Sequence, residues 1–214
     1  MPDLPITEAG HDIVTPKAAA ILREAGEDAY TRLVVSGPSP SAAQGALQGV
    51  TYDQIIAQPI KHTDDAMAAL AGLWLWYDAL DESHRISQDI VTPTGSFWHA
   101  IMHRREGDFS NSKYWYHRCP SHHVIRMMGA VASSVARETA SDRLVARALS
   151  GGWNPDGFVD LVQAVHNKPE DPRHAIAARL QRVEWEGLFD YCIHAAVEAD
   201  HTSLDDWDRR VINP

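Results

Sequence analysis

The sequence predicts an all-α, single-domain, multi-helix bundle, and three observations carry that prediction. Period-two alternation of apolar and polar residues, the mark of a half-buried strand, is nearly absent. Helix punctuation recurs instead: Thr15-Pro16 and Asn154-Pro155 each set a capping side chain before a proline at the first helical position, and Gly107 and Pro120 supply stops. A chain of 214 residues is also long enough to bury roughly 70% of its unfolded surface around one core.

Taken in order, Thr15-Pro16 opens a first helix that good helix formers extend over Ala18 to Val34. The stretch at about 36–49, rich in Ser, Pro and Gly, is expected as a surface loop. Thr63-Asp64-Asp65 caps a second helix running to about Leu80, with Met67, Leu70, Leu73, Trp74, Trp76, Tyr77 and Leu80 covering most of its circumference. A helix apolar all round is central and buried. Further helices are expected at Phe97 to Glu106, Ser112 to Arg118, His122 to Glu138, Asp142 to Leu149, Pro155 to His166 and Arg173 to Glu198.

Composition bounds the function. With 44% hydrophobic and 22% charged residues the chain has an ordinary globular make-up, and its net charge of -10 argues against general binding to nucleic acid or anionic membrane. The longest apolar run, Ala66 to Tyr77, is too short to span a bilayer, and the first ten residues have no basic or apolar leader region. Cys119 and Cys192 make no metal spacing, so a cytoplasmic location is expected, with Cys192 a buried inert thiol. No nucleophile elbow, phosphate loop, dinucleotide glycine pattern or kinase signature is present.

Chemistry concentrates between Ser96 and Trp115, where two histidines, an arginine pair, two acids, a lysine and five aromatics share twenty residues. His99 and His103, four apart on a helix, project from one face with Cβ atoms about 5–6 Å apart, a spacing two ligands of one metal can use. The competing reading is a pair of hydrogen-bonded or exposed histidines. Glu106 stands nearly in line but about 10.5 Å along the axis from His99. It suits support of a ligand better than ligation. Any further ligand has to come from another helix: Asp81-Glu-Ser-His84, or Glu186, Asp190 and His194 on the last helix.

The same region is a basic island. Between His99 and Arg126 five Lys/Arg (Arg104, Arg105, Lys113, Arg118, Arg126) face two acids, a net of +3 within a chain of -10. The arginines suit a carboxylate or phosphate, and Ser110, Asn111 and Ser112 precede an expected helix N-terminus; alternatively the arginines pair with the surplus acids of neighbouring helices. Phe97 and Ile101 fit a core face, Tyr114 and Tyr116 could offer hydroxyls, and His117, His122 and His123 suit surface or capping roles.

The motif from Ser96 to Trp115, with Pro93-Thr94 before it, Asp81-Glu-Ser-His84 upstream and Leu188-Phe-Asp-Tyr-Cys192 downstream, resembles a family of bacterial and fungal proteins for which no activity is established. The resemblance spans roughly Leu73 to Cys192 and implies a grouping, not a mechanism.

These observations point to a polar pocket for a small anionic organic ligand. His99, His103 and Glu106 are its candidate catalytic residues; Arg104, Arg105, Lys113, His84 and Glu82 are its candidate ligand-binding residues. His99 and His103 are also the candidate ligands of a divalent metal that would activate water for hydrolysis. Two rivals stand beside it: a non-enzymatic protein that docks through the basic segment, and a buried histidine–arginine network that ties the helices together.

Overall fold

A computed structural model describes residues 4–26, 29–130 and 142–198. Among them the fold is all-α, with one isolated antiparallel bridge, Val14 to Ile56. The helices are α1 (Glu8–His11), α2 (Pro16–Glu24), α3 (Ser41–Leu47), a 3-10 turn (Tyr52–Gln54), α4 (Thr63–Trp76), α5 (Leu80–Ser87), α6 (Pro93–Glu106) and α7 (Phe109–Tyr116). Then come α8 (123–130), α9 (Arg143–Ala148), α10 (Pro155–Val165) and α11 (Pro172–Val197). None of the described helices is long and apolar enough to cross a membrane.

Two of the expected caps form, whereas the helix expected to be capped by Thr63-Asp64-Asp65 starts at Thr63 itself, after a His62 that makes no side-chain cap hydrogen bond. Thr15 accepts from Ala18 N at 3.1 Å and Asn154 from Gly157 N at 3.0 Å, each ahead of its proline. Several boundaries differ from expectation, each for a local reason. The first helix stops at Glu24 rather than Val34, because Gly26 (φ 79°) and Tyr30 (φ 63°) take left-handed conformations; Tyr30 then buries its ring beside Trp76 and Trp185. Part of the expected loop at 36–49 is helix α3, which buries Ala43 and Leu47.

The second long helix ends at Trp76, where Asp78 (φ 61°) turns the chain into α5. Helix α7 begins at Phe109 rather than Ser112, since Asp108 accepts from Asn111 N at 3.1 Å. That carboxylate already fills the N-terminus read as an anion site. The helix expected from His122 to Glu138 is observed over 123–130, and its remainder lies outside the described residues.

Helix α4 is buried from Asp65 to Trp76 apart from Met67, and it packs against α5, α6 and α11. Helix α11, 26 residues and so roughly 39 Å long, is the other central element. Gly72 lets α6 close on α4, since a Cβ there would stand 2.7 Å from the Trp98 ring of α6, and the Gly72 carbonyl ties α4 to α11 by accepting from Trp185 Nε1 at 2.9 Å. Burial holds the Cys192 thiol of α11 well above its usual pKa, consistent with an inert group, and Trp98 Nε1 donates to its sulfur at 3.4 Å.

Candidate metal centre

Helices α5 and α6 pack against each other across a short connection, which brings the last turn of one beside the middle of the other. Thr92 caps α6 by accepting from Gly95 N at 3.2 Å, and Pro93 occupies its first turn. At Gly95 a Cβ would stand 2.2 Å from the Ile90 carbonyl oxygen, so this tight return needs glycine. The turn aims His84 of α5 at His99 and His103 of α6.

One ring nitrogen from each of the three histidines lies within 4.8 Å of the others. His84 Nε2 and His99 Nε2 are 3.0 Å apart. Nitrogens sharing one tetrahedral zinc ion at about 2.0–2.1 Å stand about 3.3 Å from each other, so an ion needs only a small spreading of this pair. The His99 and His103 rings stack at 4.7 Å, and His84 meets both edge-on. Trp115 of α7 lies flat on His99 at 4.0 Å and 13°. His99 and His103 are buried and His84 half-buried.

The proton positions are constrained. His103 Nδ1 donates to Glu106 Oε1 at 2.5 Å, leaving the Nε2 lone pair, near which Asn111 Nδ2 lies at 3.1 Å. Only one proton can lie between His84 Nε2 and His99 Nε2, and His99 Nδ1 is buried without a hydrogen-bond partner. Either tautomer of His99 therefore strands a polar atom, at a cost of about 1–3 kcal/mol. Burial, reinforced by the neighbouring imidazoles, pushes the His99 pKa from 6.5 down to about 3; burial and His103 lower that of His84. Both rings are thus neutral at neutral pH, the form a metal binds.

The arginines do not line this site, which corrects the expectation that Arg104 and Arg105 hold a ligand. Successive residues turn about 100° around a helix, so His103, Arg104 and Arg105 face three directions. Both guanidinium groups are inaccessible to solvent. Arg104 donates to Glu184 of α11 at 2.6 Å and to the Tyr116 hydroxyl of α7, and lies 4.5 Å from the Phe158 ring centroid of α10. Arg105 pairs with Asp78, donates to the Leu75 carbonyl at the end of α4 at 2.9 Å and to the Arg32 carbonyl at 3.1 Å, and stacks on Tyr30. A cation at a helix C-terminus, satisfied by carbonyls and a carboxylate, is an internal fastener. The pairing reading holds for both.

The other candidates divide in the same way. Glu82 turns to the segment before and within α3, accepting from the Ser39 hydroxyl and from Gln44 Nε2 at 2.7 Å, and so fastens that segment to α5. Lys113 pairs with Asp160 of α10, which also takes Arg147 at 2.8 Å. On α11, Glu186 accepts from Arg182, and Asp190 accepts from the Thr7 amide at 3.0 Å and hydroxyl at 2.8 Å, with His194 at 3.7 Å; none of the three joins the histidine cluster. Tyr116 is buried at the Arg104–Glu184 pair, and Tyr114 is exposed. His122 is buried and caps α8 by accepting from Val124 N at 3.2 Å; His117 is exposed beside Asp156.

Sequence reasoning named the segment ending at His84 as one of two candidate sources of a further metal ligand, and it missed Asp108, whose carboxylate lies with His103 and Glu106 in a second group of potential ligand atoms within 4.8 Å of one another. The signal was there: Asp108 follows the helix-ending Gly107, where the chain folds back on its last turn. Comparisons with protein-family models, curated proteins and solved structures found no match.

Proposed function

We propose that this chain binds a divalent metal ion through His84, His99 and His103 and uses it to activate water for hydrolysis of a small anionic organic substrate. The observation that carries the reading is the convergence of three imidazoles from two helices, with nitrogens within 4.8 Å of one another. Three protein ligands leave a fourth position for water, whose pKa a zinc-like ion lowers to about 7. Glu106, accepting from His103 Nδ1, fixes that ring, and Nε2 serves the metal once it exchanges its contact with Asn111 Nδ2 for the ion, the usual carboxylate–histidine support of a ligand.

The anion preference rests on the metal's own charge and on Arg118. This exposed arginine lies 5.2 Å from the ring centroid of Trp115, the residue stacked on His99, and has no carboxylate partner among the described residues. It takes over the role first read into Arg104 and Arg105.

The test is the metal content of the full chain, purified without a histidine tag or added metal, against the His99→Ala/His103→Ala double variant. At least equimolar metal in the parent and none in the variant is expected, with 4-nitrophenyl acetate or 4-nitrophenyl phosphate hydrolysed by the loaded parent alone. A parent that retains no metal after incubation with zinc, cobalt or manganese overturns the proposal.

A further inference from the structure

We infer that the centre holds two ions, the second bound by His103, Glu106 and Asp108, so that the His103 ring bridges the pair. This rests on the three-histidine reading above, since His103 belongs to both ligand groups.

Glu106 ends α6 and Asp108 caps α7, so the single turn at Gly107 (φ 91°) brings the two carboxylates to the same side of His103. Both lie in the basic stretch of the chain, yet among the described residues neither has a lysine or arginine partner. Among the described residues Glu106 hydrogen-bonds to His103, and Asp108 Oδ1 accepts from the Asn111 amide at 3.1 Å and the Ser110 hydroxyl at 3.0 Å. Two uncompensated carboxylates beside an imidazole nitrogen form a mixed nitrogen and oxygen donor set suited to a divalent ion.

His103 has a nitrogen for each ion, with Nε2 for the three-histidine site and Nδ1 for the acidic one. Nδ1 and Glu106 Oε1 are 2.5 Å apart, a hydrogen-bond contact. Bound to one tetrahedral ion they would stand about 3.3 Å apart, so Glu106 has to swing out by under about an ångström. Its side chain, 41% exposed, is free to do so. The ion replaces the Nδ1 proton, which leaves to solvent, and the ring bridges as imidazolate. The two carboxylates and the imidazolate offset most of the charge of two divalent ions.

The test counts zinc per chain after the full-length protein is stripped, reloaded and dialysed, in the parent and in Asp108→Asn. Asparagine is as good a cap as aspartate, so α7 is preserved in the variant. Glu106→Gln serves as the second variant should the first fail to fold. Two zinc ions in the parent and one in the variant are expected. With copper, the parent's paramagnetic resonance signal should fall well below what its copper content requires, because the bridge couples the ions, and the variant should recover full intensity per copper. One zinc in the parent, or two in both proteins, overturns the second site while leaving the three-histidine reading standing. No zinc in the parent removes both.

Discussion

Helix α6 carries two kinds of buried polar group within seven residues, and they are treated oppositely. Arg104 and Arg105 are matched by opposite charge: each guanidinium meets an acid and a further oxygen acceptor through its terminal nitrogens and lies over an aromatic ring, although the Nε of each is buried without a partner. His84, His99 and His103 are packed against one another instead, like with like, and His99 retains a buried nitrogen with nothing to bond. The fold gives each arginine head group a carboxylate, whereas it sets the His84 and His99 nitrogens against each other. Leaving them facing one another is a cost of the kind that sites, rather than cores, retain.

The comparison breaks most visibly at Arg104. Arg104→Ala leaves Glu184 buried without its cation, a loss of about 3–5 kcal/mol in urea denaturation. The double change Arg104→Met with Glu184→Leu should recover most of it, because the apolar pair removes both charges at once. His99→Ala should cost less than Arg104→Ala in metal-free protein, since it leaves no buried charge without its partner. Its main effect is different. In the parent, zinc at a hundredfold excess over its dissociation constant should add about 2.7 kcal/mol of stability, and His99→Ala should abolish that gain in the same titration.

Acid sharpens the contrast. The folded-state pKa of His99 lies at about 3 against 6.5 for the free side chain, and buried His122 is depressed equally. The unfolded chain therefore takes up protons below 6.5 that the native rings refuse. Stability is fully present above 6.5, declines as pH falls toward about 3, and loses nothing more from these groups below that. Urea midpoints of metal-free protein between pH 8 and pH 4 should follow this course, with a shallower slope in His99→Ala. An unchanged slope would mean that His99 does not resist protonation in the folded chain.

Much of the fold was legible because local chemistry decides it. Thr15-Pro16 and Asn154-Pro155 start helices by satisfying free amides, and the apolar circumference of α4 announces burial whatever its partners. The errors fall where distant contacts override propensity. Helix formers continue past Glu24, but Tyr30 leaves the helical conformation to stack near Trp76 and Trp185, residues far away in sequence. At the site, the spacing of His99 and His103 was readable from helical periodicity alone. Their encounter with His84 depends on how tightly the chain turns at Gly95, and the fate of the arginines on Glu184 and Asp78, separated from them by 80 and 27 positions. A run of His-Arg-Arg looks like one pocket in sequence; on a helix it points three ways.

The finest probe of the contrast is Glu106, which lies on the border between fold and site. Its side chain is partly exposed, and among the described residues it hydrogen-bonds to His103. As a structural residue at the end of α6 it is unfavourable, because a negative charge near a helix C-terminus opposes the macrodipole by about 0.3–1 kcal/mol. Glu106→Gln should therefore leave the metal-free protein as stable as the parent or slightly more so. As the acceptor that orients and polarises His103 it matters most when a metal is bound, and under the three-histidine proposal its loss should weaken zinc binding by about 10–100-fold in a chelator competition. The two measurements move in opposite directions if the acid is kept for the metal. A variant that loses stability without losing zinc affinity would return His103 and Glu106 to the category of Arg104 and Glu184, a pair held together for the fold.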